Sequence, residues 1–133
     1  MQKLFNTLFL VLLTSFSVGV FAEDIVDDYA YFGFEPDIIT NYISDSKKVG
    51  FVRITMEIMV KNADDIEILE HRAPLIRAAV VEILGEQPER KIKSAAGKYE
   101  IRELCFNAIN KLLKQETGKE LAVRLLFTKY IYH

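Results

Sequence analysis

The sequence predicts an α+β domain in which two helices cover one face of a small sheet of about three or more strands. Three observations support this fold class. Every second residue is apolar from 50 to 61, as in a strand with one buried face. Two later stretches, 64–85 and 97–116, carry apolar residues at helical spacing, and residues 121–132 alternate again. Strands followed by two helices and a last strand are typical of an α+β domain.

Residues 1–22 form a predicted export segment ahead of this domain. Lys3 is the only charge before a largely apolar stretch that closes on Val20-Phe21-Ala22, a small-x-small cleavage pattern. The pattern favours a cleaved secretory signal peptide. A retained membrane anchor is the alternative, because residues 4–22 approach the roughly 20 residues that cross a bilayer. In both interpretations the remainder of the chain is exported across a membrane.

Residues 23–36 are acidic at first and then aromatic. Asp24, Asp27 and Asp28 precede four aromatic side chains, and Pro36 marks the end of the segment. We interpret it as a tether whose aromatic residues dock on the domain, with a partner-binding segment as the alternative. The folded domain is then predicted over residues 37–133.

Two strands are predicted to begin the domain. Residues 37–43 are rich in β-formers, and the polar residues 44–48 are typical of a turn. In the long strand 50–61, the predicted buried face consists of Val52, Ile54, Met56, Ile58 and Val60. Its opposite face carries Arg53 and Glu57 and is predicted to meet water or a partner.

A helix is predicted to follow this strand. Asp64 and Glu67 have the spacing of a capping box, in which two side chains satisfy free N–H groups of the first turn. The predicted apolar stripe consists of Ile66, Leu69, Ala73, Ile76, Val80 and Ile83. Pro74 lacks a backbone donor and costs about 3 kcal/mol inside a helix, so a kink or break is expected there. Gly85 is the predicted end.

The second helix is predicted from about Gly97 to Glu116. Residues 86–94, which contain Pro88, are expected to form a loop or a single short turn before it. Gly118 is the predicted helix stop, because glycine adopts the left-handed cap without penalty. The predicted apolar face contains Ile101, Leu104, Cys105, Ala108, Ile109, Leu112 and Leu113.

The last strand is predicted over residues 121–132. Regular alternation divides its side chains between two faces. One face is predicted to hold Val123, Leu125, Phe127 and Ile131, and the other Arg124, Leu126, Thr128, Tyr130 and Tyr132.

Charge and cysteine content exclude two classes of protein. With 17 Lys and Arg against 19 Asp and Glu in 133 residues, the chain has a net charge of -2 and no extended basic surface. Nucleic-acid binding, which depends on neutralising phosphates, is therefore excluded. The single Cys105 rules out an internal disulfide and a Cys-rich zinc site, so an apolar core must hold the fold.

Candidate catalytic residues lack partners in the sequence. His71 has Leu75 rather than a ligand four residues later, and Cys105 lies in an apolar stripe, where it packs as a small hydrophobe. We therefore predict no catalytic, cofactor-binding or metal-binding residues and no enzymatic activity. A small hydrolase or metal enzyme would instead need His71 or Cys105 in a cleft beside a carboxylate.

Five segments, in order, resemble the flagellar basal-body-associated FliL family. Residues 51–57 (FVRITME) are similar to the family's first long strand, and 68–77 (ILEHRAPLIR) to its helix motif of Leu-Glu, Pro and Ile-Arg. Residues 97–102 (GKYEIR) resemble the Gly-Lys opening of the second helix, and 110–118 (NKLLKQETG) resemble its end. Residues 126–131 (LFTKYI) resemble the closing strand.

The resemblance covers roughly residues 34–133 and implies a stomatin-like periplasmic domain anchored in the inner membrane. Family members sit at the flagellar basal body beside the stator units, assemble into rings and support rotation and swimming. The implied function is therefore a non-enzymatic role in motility and chemotactic swimming, with stator units and further copies of the chain as partners. Two features depart from the family: the signal-like N-terminus, and Ala78-Ala79 in place of an acidic residue.

Arg53, Glu57, Arg72 and Arg77 are the predicted partner contacts, since arginine is enriched at interfaces. A contact between copies is expected at a strand edge or on the outer helix faces, because a ring requires two different patches. A soluble periplasmic binding or adaptor module unconnected with motility is the alternative function.

Overall fold

The computed structural model describes Gly19 and residues 27–46 and 48–133. The signal-peptide and anchor interpretations of residues 1–22 therefore lie outside the described residues, as do the first four tether residues. The elements are β1 (Ala30–Gly33), β2 (Ile38–Tyr42), β3 (Gly50–Val60), α1 (Asp65–Gly85), α2 (Glu89–Lys93), α3 (Ala95–Thr117) and β4 (Ala122–Tyr132). The predicted α+β class is confirmed. None of the helices in the described ranges is long and apolar enough to span a bilayer.

β3 is the centre of an antiparallel sheet. β4 pairs with it along one edge, from Val52 to Val60. β1 and β2 pair with the two ends of the opposite edge, where Ala30 lies across from Val60 and Ile38 across from Ile54. β3 is thus held on both sides over almost its whole length.

β1 is a strand that the sequence did not predict, because its residues fall within the segment interpreted as a tether. Phe32 packs against the core, and Phe34, just after the strand, is buried. Their rings meet edge to face with centroids 5.0 Å apart. Four residues give too short a pattern to recognise alone, and it is pairing with β3 that makes them a strand.

The core lies between the sheet and the helices. All five residues of the predicted buried face of β3 are fully buried, which confirms that prediction. Each supplies about 1.5 to 3 kcal/mol of burial free energy. The helices contribute the buried residues Leu69, Ile76, Val80, Leu84, Ile92, Ile101, Cys105, Ile109 and Leu113.

The start of α1 differs from the prediction. Asp64 is at the N-cap position, but its side chain forms no capping hydrogen bond, so the predicted capping box is wrong. The backbone N–H groups of Asp65 and Ile66 instead donate to the carbonyls of Asn62 and Ala63, each at 3.1 Å. A tight turn after β3 thus satisfies donors that a side chain would otherwise cap.

The sequence predicts a kink or a break at Pro74, but α1 continues through it, so the predicted break is wrong. The proline is exposed. Leu69 and Ile76, on either side of it, are fully buried. Burial of both halves of the helix in one core outweighs the lost backbone bond.

The segment between the long helices contains the five-residue helix α2, and α3 begins two residues earlier than predicted. Ser94 caps α3 by accepting a hydrogen bond from the Gly97 N–H at 2.9 Å. Gly97 is buried, and a Cβ there would collide with the Lys91 carbonyl. At the other end, Gly118 has φ 82° and forms the predicted left-handed cap. Leu104, placed on the apolar face by the sequence, is 44% exposed.

The predicted division of β4 into two faces is wrong over part of the strand. The pairing register shifts twice, which leaves Val123 and Thr128 as extra residues in bulges. Each bulge reverses the alternation, so Val123 and Ile131 are exposed, and Tyr130 turns toward the core. The inward residues, read from their partners on β3, are Ala122, Leu125, Phe127, Tyr130 and Tyr132.

Candidate interaction surface

The sheet has one face that the described helices leave open. Side chains of paired strands share a face, so the pairing registers identify which residues point away from the core. We call this surface the outer face, and its side chains are those of Tyr31, Ile39, Asn41, Phe51, Arg53, Thr55, Glu57, Met59, Arg124, Leu126, Lys129 and Ile131.

Asp37, just before β2, organises the polar part of the outer face. Arg53 Nε donates to its Oδ2 at 2.7 Å, and Thr55 Oγ1 donates to its Oδ1 at 2.7 Å. Lys129 Nζ lies 3.9 Å from Oδ2. The hydrogen bond from Thr55, followed by that from Arg53, lowers the pKa of Asp37. This carboxylate therefore ties β2, β3 and β4 together while staying charged.

Apolar side chains surround these charges. Ile39 and Ile131 lie directly opposite Arg53 on its two sides. Ile39 is 60% exposed, Phe51 46% and Ile131 41%. Tyr31 adds a second exposed apolar region at the other end of the sheet. A surface that mixes exposed apolar residues with a few fixed charges is suited to binding another protein.

Two of the four predicted contact residues lie on the outer face. Arg53 and Glu57 both point away from the core of β3, and four residues along a strand place them roughly 13 Å apart. Arg53 is held by Asp37, whereas Glu57 lies over the bare backbone of Gly33. Only one of the two charges is thus fixed by a hydrogen bond to another side chain.

The other two predicted contacts, Arg72 and Arg77, lie on α1, in the layer behind the sheet. Arg72 Nε lies 3.2 Å from Glu116 Oε2 on α3, but the N–H is not aimed at that oxygen, so the contact is an ion pair without a hydrogen bond. The Arg77 guanidinium lies 6.0 Å from the centre of the Phe34 ring. The four residues therefore do not form one surface.

The residues considered for catalysis are not brought together. His71 is exposed on α1, and Cys105 is fully buried in α3. Burial raises the pKa of the Cys105 thiol to about 12, which keeps it protonated at neutral pH. Among the described residues, no three His, Cys, Asp or Glu side chains are arranged to hold a metal ion.

Asp37 and Asn110 are structural residues whose roles the sequence did not reveal. The sequence predicts Asp37 only as the first residue of a strand, and its hydrogen-bond partners are 16 or more positions away. Asn110 is buried in α3, and both ends of its amide bond the backbone of Ala122 at 2.9 Å. A polar residue within an apolar helix stripe is the one local signal that could have drawn attention to Asn110.

The strands and helices define a small α+β domain with one open sheet face. The sequence model of the family described as flagellar basal body-associated protein FliL matches residues 31–132, from the first strand to the last. A flagellar protein FliL of Aquifex aeolicus (strain VF5) is 24% identical over 81 residues, which are 61% of this chain and 50% of that relative. The chain thus spans about half the length of this curated relative.

This chain belongs to the FliL family. The resemblance drawn from the five sequence segments is therefore confirmed.

Proposed function

We propose that this chain is a non-enzymatic accessory protein of the flagellar motor, which contacts the stator units and supports rotation, swimming and chemotactic movement. Family membership supports the basal-body location. The outer face is the observation that carries the contact with a partner, since it combines exposed apolar residues with charges held in fixed positions.

The rigidity of the outer face suits a component that must withstand force. β3 is paired along both edges, and Asp37 links it to β2 and to β4. A partner bound here meets side chains that are already ordered, so little conformational entropy is lost on binding. Ile39 and Phe51 would supply the apolar centre of the contact, and Arg53 its charged anchor.

The proposed location is the periplasm, at the inner membrane. The export segment 1–22 supports it, either as a cleaved signal or as a retained anchor. We further propose that several copies assemble at the basal body.

Comparing the mass of the mature protein in wild type and in Ala22→Leu tests cleavage: a 22-residue loss in wild type alone supports the signal, whereas full length in both supports the anchor.

The experiment that tests the function compares two matched substitutions in cells. Ile39→Asp places a charge in the exposed apolar part of the outer face beside Arg53, and Val49→Asp places one at an equally exposed site in the loop before β3. Ile39→Asp should reduce swimming in soft agar and reduce the fraction of fluorescently labelled stator units at the flagellar base. Val49→Asp should leave both near wild type.

Equal loss with the two substitutions, at equal protein levels, would contradict a specific role for the outer face. Deleting the whole gene gives the broader test. If swimming and stator number are unchanged after deletion, the motor role is wrong, and a soluble periplasmic adaptor becomes the better interpretation.

A further inference from the structure

A groove runs between α3 and β4 and borders the outer face, with which it shares Arg124 and Leu126. Two adjoining hollows of about 190 and 260 Å³ share Arg102 and together line it with one side of α3 and with residues 123–127 of β4. Tyr99 and Phe106 form apolar parts of its helical wall. We call it the α3–β4 groove.

The floor of the groove is an open strand edge. In the part of the chain that the structure describes, β4 pairs with β3 alone, so its second edge carries backbone N–H and C=O groups without a partner strand. Such an edge is a template for an added strand. Five residues of β4 provide about 16 Å of edge, enough for a segment of four or five residues.

The groove is positively charged in a chain whose net charge is negative. Lys98, Arg102 and Arg124 line it, against the single carboxylate of Glu103. The Arg102 guanidinium lies over the Tyr99 ring at 5.1 Å, with its nitrogen Nη2 3.9 Å from Glu103 Oε1. An extended segment with carboxylates and apolar side chains is the complementary ligand.

The chain itself contains such a segment. Residues 23–28 read Glu-Asp-Ile-Val-Asp-Asp, with four carboxylates around two β-branched residues. Asp27 is engaged at the domain by Lys61, 3.4 Å away, which places the root of the segment at the end of β3. Residues 23–26, which precede that root, can reach roughly 13 Å from it.

The positions of segment and groove favour a contact between two copies. Ala30 and Ala122 both lie opposite Val60, so the root of the segment and the start of the groove are at the same end of the sheet. They lie on opposite edges of β3, however. Copies placed side by side in one orientation would thus present the segment of each to the groove of the next, which is a heterologous contact.

We propose that residues 23–26 of one copy bind in the α3–β4 groove of a second copy, as a short strand added to the free edge of β4. Glu23 and Asp24 face Arg102 and Arg124 of the second copy. This inference rests on the proposed assembly of copies but not on binding to the stator, and the two can fail separately.

Cysteine cross-linking of the full chain in cells tests the contact, because the native Cys105 is buried. Asp24→Cys is combined with Val123→Cys, which is 44% exposed at the mouth of the groove. An oxidant should yield a ladder of dimers, trimers and larger species. Asp24→Cys combined with Leu75→Cys, 47% exposed on α1, is the matched control and should yield no ladder.

Charge-reversing substitutions in the protein that carries the Asp24→Cys and Val123→Cys pair distinguish specific binding from random encounters between copies. Arg102→Glu with Arg124→Glu should reduce the ladder about tenfold or more, because like charges then meet. Adding Glu23→Lys should restore much of it, which also shows that the variant chain is folded. The inference is wrong if the Leu75 pair cross-links equally well, if no ladder forms at normal protein levels, or if charge reversal leaves the ladder unchanged.

Stator localisation in the same strains distinguishes the two proposals. A ladder without stator recruitment supports the groove contact and contradicts the motor function. Normal stator recruitment in the charge-reversed strain, where the ladder is lost, would show that the outer face acts without this contact, while the groove contact still stands on its cross-links.

Discussion

Asn110 joins the last helix to the last strand through a single buried amide. Its Nδ2 donates to the Ala122 carbonyl and its Oδ1 accepts from the Ala122 N–H, both at 2.9 Å. Ala122 begins β4, so this pair of bonds fixes where the strand starts beside β3. A side chain that replaces neither bond leaves two backbone groups buried without partners.

We expect Asn110→Leu to lower the free energy of unfolding by about 2 to 3 kcal/mol, because the loss of two hydrogen bonds outweighs the added apolar volume. Urea denaturation followed by circular dichroism measures it. Asn107→Leu, at an exposed position of the same helix, is the control and should change stability by less than about 0.5 kcal/mol. Equal losses of stability in the two variants would show that the hydrogen bonds of the Asn110 amide do not stabilise the fold.

Asp37 makes the stability of the outer face depend on pH. Hydrogen bonds from Thr55 and Arg53 hold its pKa below the ordinary 3.8. Since the folded pKa is lower than the unfolded one, the stabilisation is present above 3.8 and is lost as the pH falls through the folded pKa. Asp37→Asn should therefore be less stable at pH 7 and lose less stability on acidification than wild type.

Thermal unfolding between pH 7 and pH 2 measures this difference. Thr55→Val removes the hydrogen bond that lowers the Asp37 pKa most. The pH dependence of its stability should therefore lie between those of wild type and Asp37→Asn. If the unfolding temperature depends on pH in the same way in all three proteins, Asp37 is not the source of the pH dependence.

At the scale of the elements, strict periodicity was predictable and local exceptions were not. β3 and both long helices follow from apolar spacing, since burial selects one face of each. The bulges at Val123 and Thr128 add a residue without changing the composition, so the faces of β4 could not be read from the sequence. β1 depends on its pairing with β3, a contact between distant residues.

Pro74 is the exception within α1, and it makes a prediction about that helix. Replacement by alanine restores an N–H donor at an exposed position of an unbroken helix. The gain in folding stability is reduced because alanine also raises the conformational entropy of the unfolded chain. We expect Pro74→Ala to raise the free energy of unfolding by about 1 to 2 kcal/mol in urea denaturation. A loss of stability would mean that the helix needs the proline's geometry to pack on the sheet.

For the whole molecule, the sequence located charged residues on the correct face of β3 but could not assemble a site. Arg53 and Glu57 share the outer face because strand alternation is local, whereas Arg72 and Arg77 lie on another layer. The cluster of hydrogen bonds and ion pairs around Asp37 joins residues from three separate segments. Such a cluster depends on register between strands, which apolar spacing does not specify.

Cys105 reports on the stability of the whole molecule, because it is buried where α3 meets the rest of the core and its thiol pKa is raised to about 12. A thiol reagent at pH 8 should react slowly with the native chain and completely in denaturant. If reaction requires global opening, the rate follows the free energy of unfolding. A loss of about 2 kcal/mol, as expected for Asn110→Leu, should then accelerate labelling about 30-fold. Unchanged rates in that variant would show instead that the thiol is reached by a local opening of α3.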